Sequence, residues 1–374
     1  MLSLFGSNVG PAELAAVGEC MERQWLGIGA KCDEFERRIA ERVGAPGFVF
    51  LNSGSNALQM ALKLMELPKG SEVIVPTFTW IACANAVKLN ELVPVFCDVD
   101  LRTGNMRPED VEPKISPRTS AIMVVHYGGK PVDMDGMQRF GLPIVEDAAH
   151  AIDSKYKGRS CGTMGETGIF SFDAVKNLTT TEGGGVLAKD PERLVRARRL
   201  RYCGIAKSGF QASATKARWW EVDITDFFPK MLPTDVNAAV GLTQLARLDE
   251  FQARRRALWD RYNAVLQQED WATGWLSTLD GPAADEQHSY FCYLVQLRAG
   301  SRDDLAHFLY ERKVYTSLRF HPLHLYPIYG PQERLPNAEH LSEHGLNLPI
   351  HHRMELADVD RVCELLAEFR RTRV

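Results

Sequence analysis

Lys176 stands in FSFDAVKNLTTTEGGGV (170–186), directly after an apolar run and before a threonine- and glycine-rich turn. Most lysines are solvated surface residues. Phe170, Phe172 and Val175 flank this one, and an amine held among them loses hydration. Desolvation disfavours the ammonium form, lowers the pKa and makes the amine a nucleophile towards a carbonyl. Asp147, 29 residues earlier, closes the apolar run LPIVEDA (142–148). A carboxylate there either caps the segment that follows or pairs with a protonated ring nitrogen, which makes a pyridine ring an electron acceptor. A third group lies in NSGSNAL (52–58). Backbone N–H groups at Gly54, with the hydroxyls of Ser53 and Ser55 at a helix start, form a cradle for phosphate; the plainer alternative is a helix cap. Trp80, in PTFTW, offers a flat face to a ring, although aromatics in such places also serve as core. Ser171 adds another hydroxyl beside the lysine. Each feature alone has a structural reading. In chain order they compose a phosphate cradle, a stacking aromatic, a ring-nitrogen carboxylate and a carbonyl-reactive lysine, the set that pyridoxal 5'-phosphate (PLP) requires.

The elements that must hold these residues alternate from about residue 45 to 190. FVFLN (48–52), EVIVP (72–76), VPVFCDV (93–99), SAIMVVH (120–126), LPIVEDA (142–148), TGIFSF (167–172) and GGVLAK (184–189) read as strands. NALQMALKLMEL (56–67) and WIACANAVKLN (80–90) read as helices between them. Strands that are apolar nearly throughout, separated by helices, predict an α/β fold with a mostly parallel sheet covered on both faces. Ligands gather beyond the carboxyl ends of such strands, where the polar motifs fall. From Thr234 to Gln268 the pattern is one long amphipathic helix or a pair of them. A strand at SYFCYLVQL (289–297), a helix at 301–313 and a last helix at 355–372 follow. A boundary near residue 245 is therefore expected, with residues 1–245 as a large domain and 246–374 as a smaller α+β domain.

Formal net charge is −4, from 44 basic and 48 acidic residues well mixed along the chain. That balance gives no reason to expect nucleic acid or a membrane surface as partner. The N-terminus lacks the basic and apolar regions of a signal peptide, and no uncharged stretch is long enough to span a bilayer. The eight cysteines are scattered without a CxxC pair, which fits reduced thiols in a cytoplasm rather than disulfides or a metal centre.

Through most of its length the chain resembles the DegT/DnrJ/EryC1/StrS family, sugar aminotransferases of PLP fold type I. The resemblance runs through FERRIAERVGAPGFVFLNSGSNALQMAL, EVIVPTFTWIACANAV, VEDAAHAIDSKYKGRSCGTMGETGIFSF, KNLTTTEGGGV, NAAVGLTQLARLDE and PLHLYP. It implies that Lys176 carries the cofactor as a Schiff base and then transfers protons, and that Asp147 pairs with the pyridine nitrogen. It implies that Trp80 stacks on the ring and that Ser53, Gly54, Ser55 and Ser171 hold the phosphate. His150 sits where the family often has Gln, near the ring hydroxyl. Lys230, in FFPKMLPTDVNA (227–238), falls where relatives place a lysine that reaches the phosphate of a neighbouring subunit. A homodimer with active sites at the interface is thereby implied, although Pro229, Met231, Leu232 and Pro233 depart from the family pattern.

Two further departures bear on substrate. Asp173 replaces a His or Tyr common in members that aminate C4. Arg319, in SLRFHPLH, replaces a frequent His and would favour an anionic group such as a nucleotide diphosphate, or else serve as a surface ion-pair residue. His321 is the third candidate for substrate contact. The turn TTTEGGG (179–185) resembles that of enzymes acting at C4 of a sugar. The implied reaction is transfer of an amino group from L-glutamate to a nucleotide-linked 4-keto-6-deoxy sugar, giving a 4-amino-4,6-dideoxy sugar. A keto-cyclitol acceptor and amination at sugar C3 remain alternatives, and a non-catalytic sensor that binds PLP or a sugar nucleotide is a third.

Overall fold

The computed structural model describes residues 1–207 and 222–373. Its centre is a seven-stranded sheet made of β1 (Val49–Leu51), β2 (Glu72–Pro76), β3 (Val93–Cys97), β4 (Thr119–Val125), β5 (Ile144–Asp147), β6 (Thr167–Ser171) and β7 (Gly184–Ala188), in spatial order β1-β7-β6-β5-β4-β2-β3. The pairs β3/β2, β2/β4, β4/β5 and β5/β6 are parallel. Only β7 runs against its neighbours, β6 on one side and β1 on the other. The sheet is mostly parallel because crossovers through helices feed successive strands in one direction. The exception arises at the turn carrying Lys176, which returns the chain directly beside β6.

Alternate residues of each strand enter two different cores. Phe48, Phe50, Ile122, Val124, Ile144 and Phe170 face one core, shared with the helices Ala30–Val43 and Asp235–Ala246. Val49, Leu51, Ala121, Met123, Val145 and Ile169 face the other, beneath the helices Gly54–Met65, Ala82–Leu89 and Pro191–Leu200. A side chain such as Phe50 or Met123, fully removed from water, contributes about 2 kcal/mol through burial. Both faces being apolar explains why the strand runs lack a polar alternation.

The long pattern from Thr234 resolves into two helices, Asp235–Ala246 and Leu248–Leu266, broken at Arg247 where φ is −107° and ψ 3°. The second packs on the final helix, Leu356–Arg373, and on an antiparallel three-stranded sheet of Leu276–Thr278, Tyr293–Leu297 and Gly345–Leu348. The expected strand at 289–297 begins only at Tyr293, because Tyr290 adopts φ 54°, incompatible with extended backbone. The N-terminus returns to this layer: Leu2 forms a bridge with Val314, its N–H donating to Lys313 O at 2.7 Å. All eight cysteines are free, and all but Cys203 are buried.

Candidate active site

The ends of β1, β5 and β6 open into a cavity of about 380 Å³. At its floor, β1 runs through Ser53 into the helix Gly54–Met65. Ser53 is extended (φ −164°, ψ 158°), and its hydroxyl accepts the N–H of Asn56 at 3.1 Å. The cap leaves the first N–H groups of the helix facing the cavity, where the helix dipole favours an anion. A Cβ at Gly54 would lie 2.7 Å from Ser171 Cβ and 2.9 Å from its Oγ, so only glycine lets the helix start approach the end of β6. A Cβ at Gly184 would meet Gly54 N at 2.4 Å. The glycines of the TTTEGGG turn therefore close this cradle from the third side.

The neighbours Glu146 and Asp147 on β5 point to opposite faces and meet opposite fates. Glu146 is fully buried and saturated: it accepts N–H groups from Gly162 at 2.7 Å and Met164 at 2.5 Å, a third from Gly165, and bonds His126 Nε2 at 2.9 Å. It holds the chain that follows β5. Asp147 lines the cavity, accepts the Ala149 N–H at 2.9 Å, and takes the Cys83 thiol at 3.1 Å. Burial, then the Asp147 charge, pushes the Cys83 thiol well up, so it stays protonated as a donor. The remaining acceptor capacity of Asp147 faces the cavity.

Lys176 is carried by the connection between β6 and β7, which hydrogen bonds lock in place. Lys176 N–H donates to Asp173 O at 3.0 Å, Val175 N–H to Asp173 Oδ1 at 3.0 Å, and the Thr179 hydroxyl to Phe172 O at 3.3 Å. The Ser7 hydroxyl, from the N-terminal segment, donates to Ala174 O at 2.5 Å. The Lys176 amine lies 4.9 Å from the Phe291 ring centroid. Burial first, then the nearby Arg319 charge, lowers its pKa from 10.5 to about 8, against the opposing pull of Asp147 and Asp173. His150 is buried between Phe291, whose ring centroid is 4.0 Å away, and Phe320 at 6.0 Å, nearly parallel to both. Burial drives its pKa well below the ordinary value, and its Nδ1 has no hydrogen-bond partner among the described residues.

The cavity thus brings together Ser53, Gly54, Ser55, Trp80, Asp147, His150, Ser171, Asp173, Lys176 and Arg319. Trp80 remains 55% exposed, a large ring face open to the cavity. Lys230 is exposed and does not line this chain's cavity, although Met231 O next to it accepts the Asn52 N–H at 3.2 Å. His321 is also outside, exposed beside Tyr326, with Ser342 Oγ 3.5 Å from its Nδ1. Residues not singled out from the sequence complete the walls: Phe5, Thr79, Glu182, Leu318 and Phe320, with Cys83 and Phe291 behind them. The apolar ones carry no chemical signal in their type, and Phe5 and Phe320 come from distant segments.

These features fit PLP on the structure's own terms. The helix start and Ser171 leave room for a phosphate, Asp147 and the unpartnered His150 nitrogen offer polar contacts for a ring's substituents, and a desolvated amine stands beside them. Residues 8–367 match the profile described as the DegT/DnrJ/EryC1/StrS aminotransferase family. The chain is 37% identical over 373 residues, 97% of its length and 95% of the relative's, to a dTDP-4-dehydro-2,3,6-trideoxy-D-glucose 4-aminotransferase of Saccharopolyspora spinosa. The aminotransferase TlmJ from Streptoalloteichus hindustanus superposes with a TM-score of 0.91 at 38% identity, covering 98% of each chain. A putative sugar aminotransferase from Streptococcus pneumoniae, solved in its PMP form, gives 0.91 at 27% identity, again over 98% of each.

Proposed function

Because the chain belongs to the DegT/DnrJ/EryC1/StrS aminotransferase family and is a PLP-dependent sugar aminotransferase, we propose that it transfers an amino group from L-glutamate to C4 of a nucleotide-linked 4-keto-6-deoxy sugar. The observation that carries this reading is the conjunction, in one cavity, of the Lys176 amine, the Asp147 carboxylate and the Ser53–Ser55 helix start. The C4 position is supported by the Saccharopolyspora relative, which is named for that position on a dTDP-linked sugar.

When bound, PLP supplies an electron sink for the reacting carbon and stores the amino group between donor and acceptor. The protein's own groups do the rest. Ser53, Gly54, Ser55 and Ser171 would hold the phosphate, Trp80 would offer a stacking face to the ring, and Asp147 would keep the ring nitrogen protonated. His150, stacked close to Phe291 and parallel to Phe320, would offer its unpartnered ring nitrogen to the ring hydroxyl. Lys176 Nζ takes a proton from the donor's α-carbon and delivers protons to the reacting carbons; its pKa of about 8 lets it gain and lose a proton near neutral pH. Asp173 borders the acceptor side, and His321 lies further out for a bulky substrate. The donor leaves as a keto acid, and the keto sugar leaves as an amino sugar.

The same reading makes the protein a homodimer in which Lys230 reaches the phosphate of the neighbouring subunit. Supporting it are the exposure of Lys230 and the 91% exposure of Phe227 beside it. No described helix is long and apolar enough to cross a membrane, and we place the reaction in the cytoplasm without nucleic-acid or membrane partners. The test is an absorbance spectrum of the purified protein with PLP before and after L-glutamate. A visible band that forms with PLP and bleaches with L-glutamate is expected, followed by its return when the keto sugar is supplied. A protein that develops no band would remove Lys176 from the chemistry.

A further inference from the structure

Of the cationic side chains that line the cavity among the described residues, Lys176 is committed to chemistry and Arg319 is not. The Arg319 backbone is held at both ends: its N–H donates to Asn347 Oδ1 at 2.9 Å, and its carbonyl accepts the Tyr127 hydroxyl. Its guanidinium carbon lies 3.9 Å from the Phe5 ring centroid, 5.0 Å from that of Phe291 and 5.8 Å from that of Phe320. Each ring face attracts a cation, but none neutralises it, and no described carboxylate forms an ion pair with it. Burial lowers its pKa, against a smaller opposing pull from Asp173, which lies beyond ion-pair distance. A cation kept in this state gains from an anionic ligand that supplies the missing partner.

The choice of anion follows from position. Lys176 Nζ and Arg319 lie over the same Phe291 ring, at 4.9 and 5.0 Å from its centroid, so the guanidinium stands close to where bonds change. In an amino-acid donor the carboxylate oxygens are two bonds from the carbon that bears the amine. In a nucleotide-linked hexose the nearest charged phosphate oxygen is six bonds from C4 and must sit further towards the mouth. Asp173 and Glu182 line the cavity too, and the Asp173 charge, after burial, raises the Glu182 pKa. These two acids make the remaining rim unfavourable for a diphosphate.

We propose that Arg319 binds the α-carboxylate of the amino donor, holding it in the planar, two-pronged geometry that a guanidinium offers. This rests on the aminotransferase reading above and assigns the donor subsite within it. The hydrogen bonds to Arg319's backbone fix the angle of approach. The three rings flank the guanidinium with apolar surface, which raises the strength of the ion pair.

The experiment uses the PLP-loaded protein and its Arg319→Gln and Arg319→Lys variants. L-2-Methylglutamate, which has an α-carboxylate but no α-proton to lose, is titrated to give a dissociation constant without turnover. L-Glutamate then gives the rate of bleaching. In R319Q we expect binding of both to weaken about 100-fold, with partial recovery in R319K. Half-saturation by the nucleotide-linked keto sugar on the aminated form of the protein should stay within about 3-fold of wild type. Unchanged donor binding in R319Q overturns the proposal, whether or not keto-sugar binding falls; if it falls, Arg319 grips the diphosphate instead. A wild type that bleaches with another L-amino acid but not with L-glutamate sinks the glutamate assignment alone. The same comparison is then made with that amino acid and its α-methyl analogue, because every such donor carries the same carboxylate.

Discussion

The two walls of the cavity hold their polar groups in different ways. On the wall formed by the ends of β1, β5 and β6, Ser53, Asp147 and the backbone that carries Lys176 are tied to backbone or to a neighbouring side chain. Ser53 accepts the Asn56 N–H, Asp147 accepts the Ala149 N–H and the Cys83 thiol, and the Lys176 turn is laced to Asp173 and Phe172. On the opposite wall Arg319 has rings rather than acids around it, contributed by Phe5, Phe291 and Phe320. A hydrogen-bonded frame suits a cofactor that stays, since its geometry is set before anything binds. A desolvated, unpaired cation suits ligands that come and go, since it gains most when one arrives. Under the proposed function, the first wall serves the resident cofactor and the second the exchanging substrates.

The largest test of this division is Lys176→Ala, for which amino-sugar formation, followed by initial rates, should fall about 10⁴-fold or more. Substantial residual turnover would place the proton transfer elsewhere. Next comes the contrast between adjacent carboxylates. Asp147→Asn should lower turnover about 10³-fold with little change in melting temperature, since an amide oxygen still accepts the Ala149 N–H. Glu146→Gln should do the reverse, costing about 3 kcal/mol of stability, because its amide nitrogen cannot accept the pair of hydrogen bonds that each carboxylate oxygen takes, Gly162 with His126 on one and Met164 with Gly165 on the other. Equal effects on turnover from both would dissolve the distinction.

The lysine also leaves a mark on stability. With its pKa lowered from 10.5 to about 8, the unfolded chain binds more protons at Lys176 than the folded chain between those values. Stability of the PLP-free protein relative to Lys176→Met should therefore rise with pH across that window, by about 3 kcal/mol. Below about pH 8 both states are protonated and the full cost of the buried charge remains. Urea unfolding of both proteins at several pH values measures the gap, and a gap that stays constant would mean the amine is solvated. The smallest effect is expected at Trp80: Trp80→Ala should weaken PLP binding about 5-fold, read by fluorescence titration. A much larger loss would make the stacking face part of the rigid frame.

Much of the cofactor wall was legible because its parts are local. A strand, a small-residue turn and a helix start sit within seven residues at NSGSNAL, and the lysine lies five residues after Ser171. Strand runs apolar on both faces announced a covered sheet, and six of the seven strands run in one direction as expected. The reversal of β7 was not foreseen, since a short apolar run has no direction of its own. The start of the strand at Tyr293 was hidden for a similar reason, as the positive φ of Tyr290 answers to its packing rather than its residue type. Lys230 and His321 were named from resemblance, and the structure places both outside the cavity of their own chain.

By itself the sequence determined the alternation of strands and helices, the small-residue helix start at Ser53–Ser55, the carboxylate at the end of β5 and the lysine after β6. Those features depend on residues close along the chain, whose spacing follows from helix and strand geometry. The tertiary structure alone decided that Phe5, Phe291, Arg319 and Phe320 form one wall, that Cys83 faces Asp147, and that His150 is held between two phenyl rings. Such contacts join segments tens to hundreds of residues apart. They arise only when separate apolar faces close on each other, which no local pattern encodes.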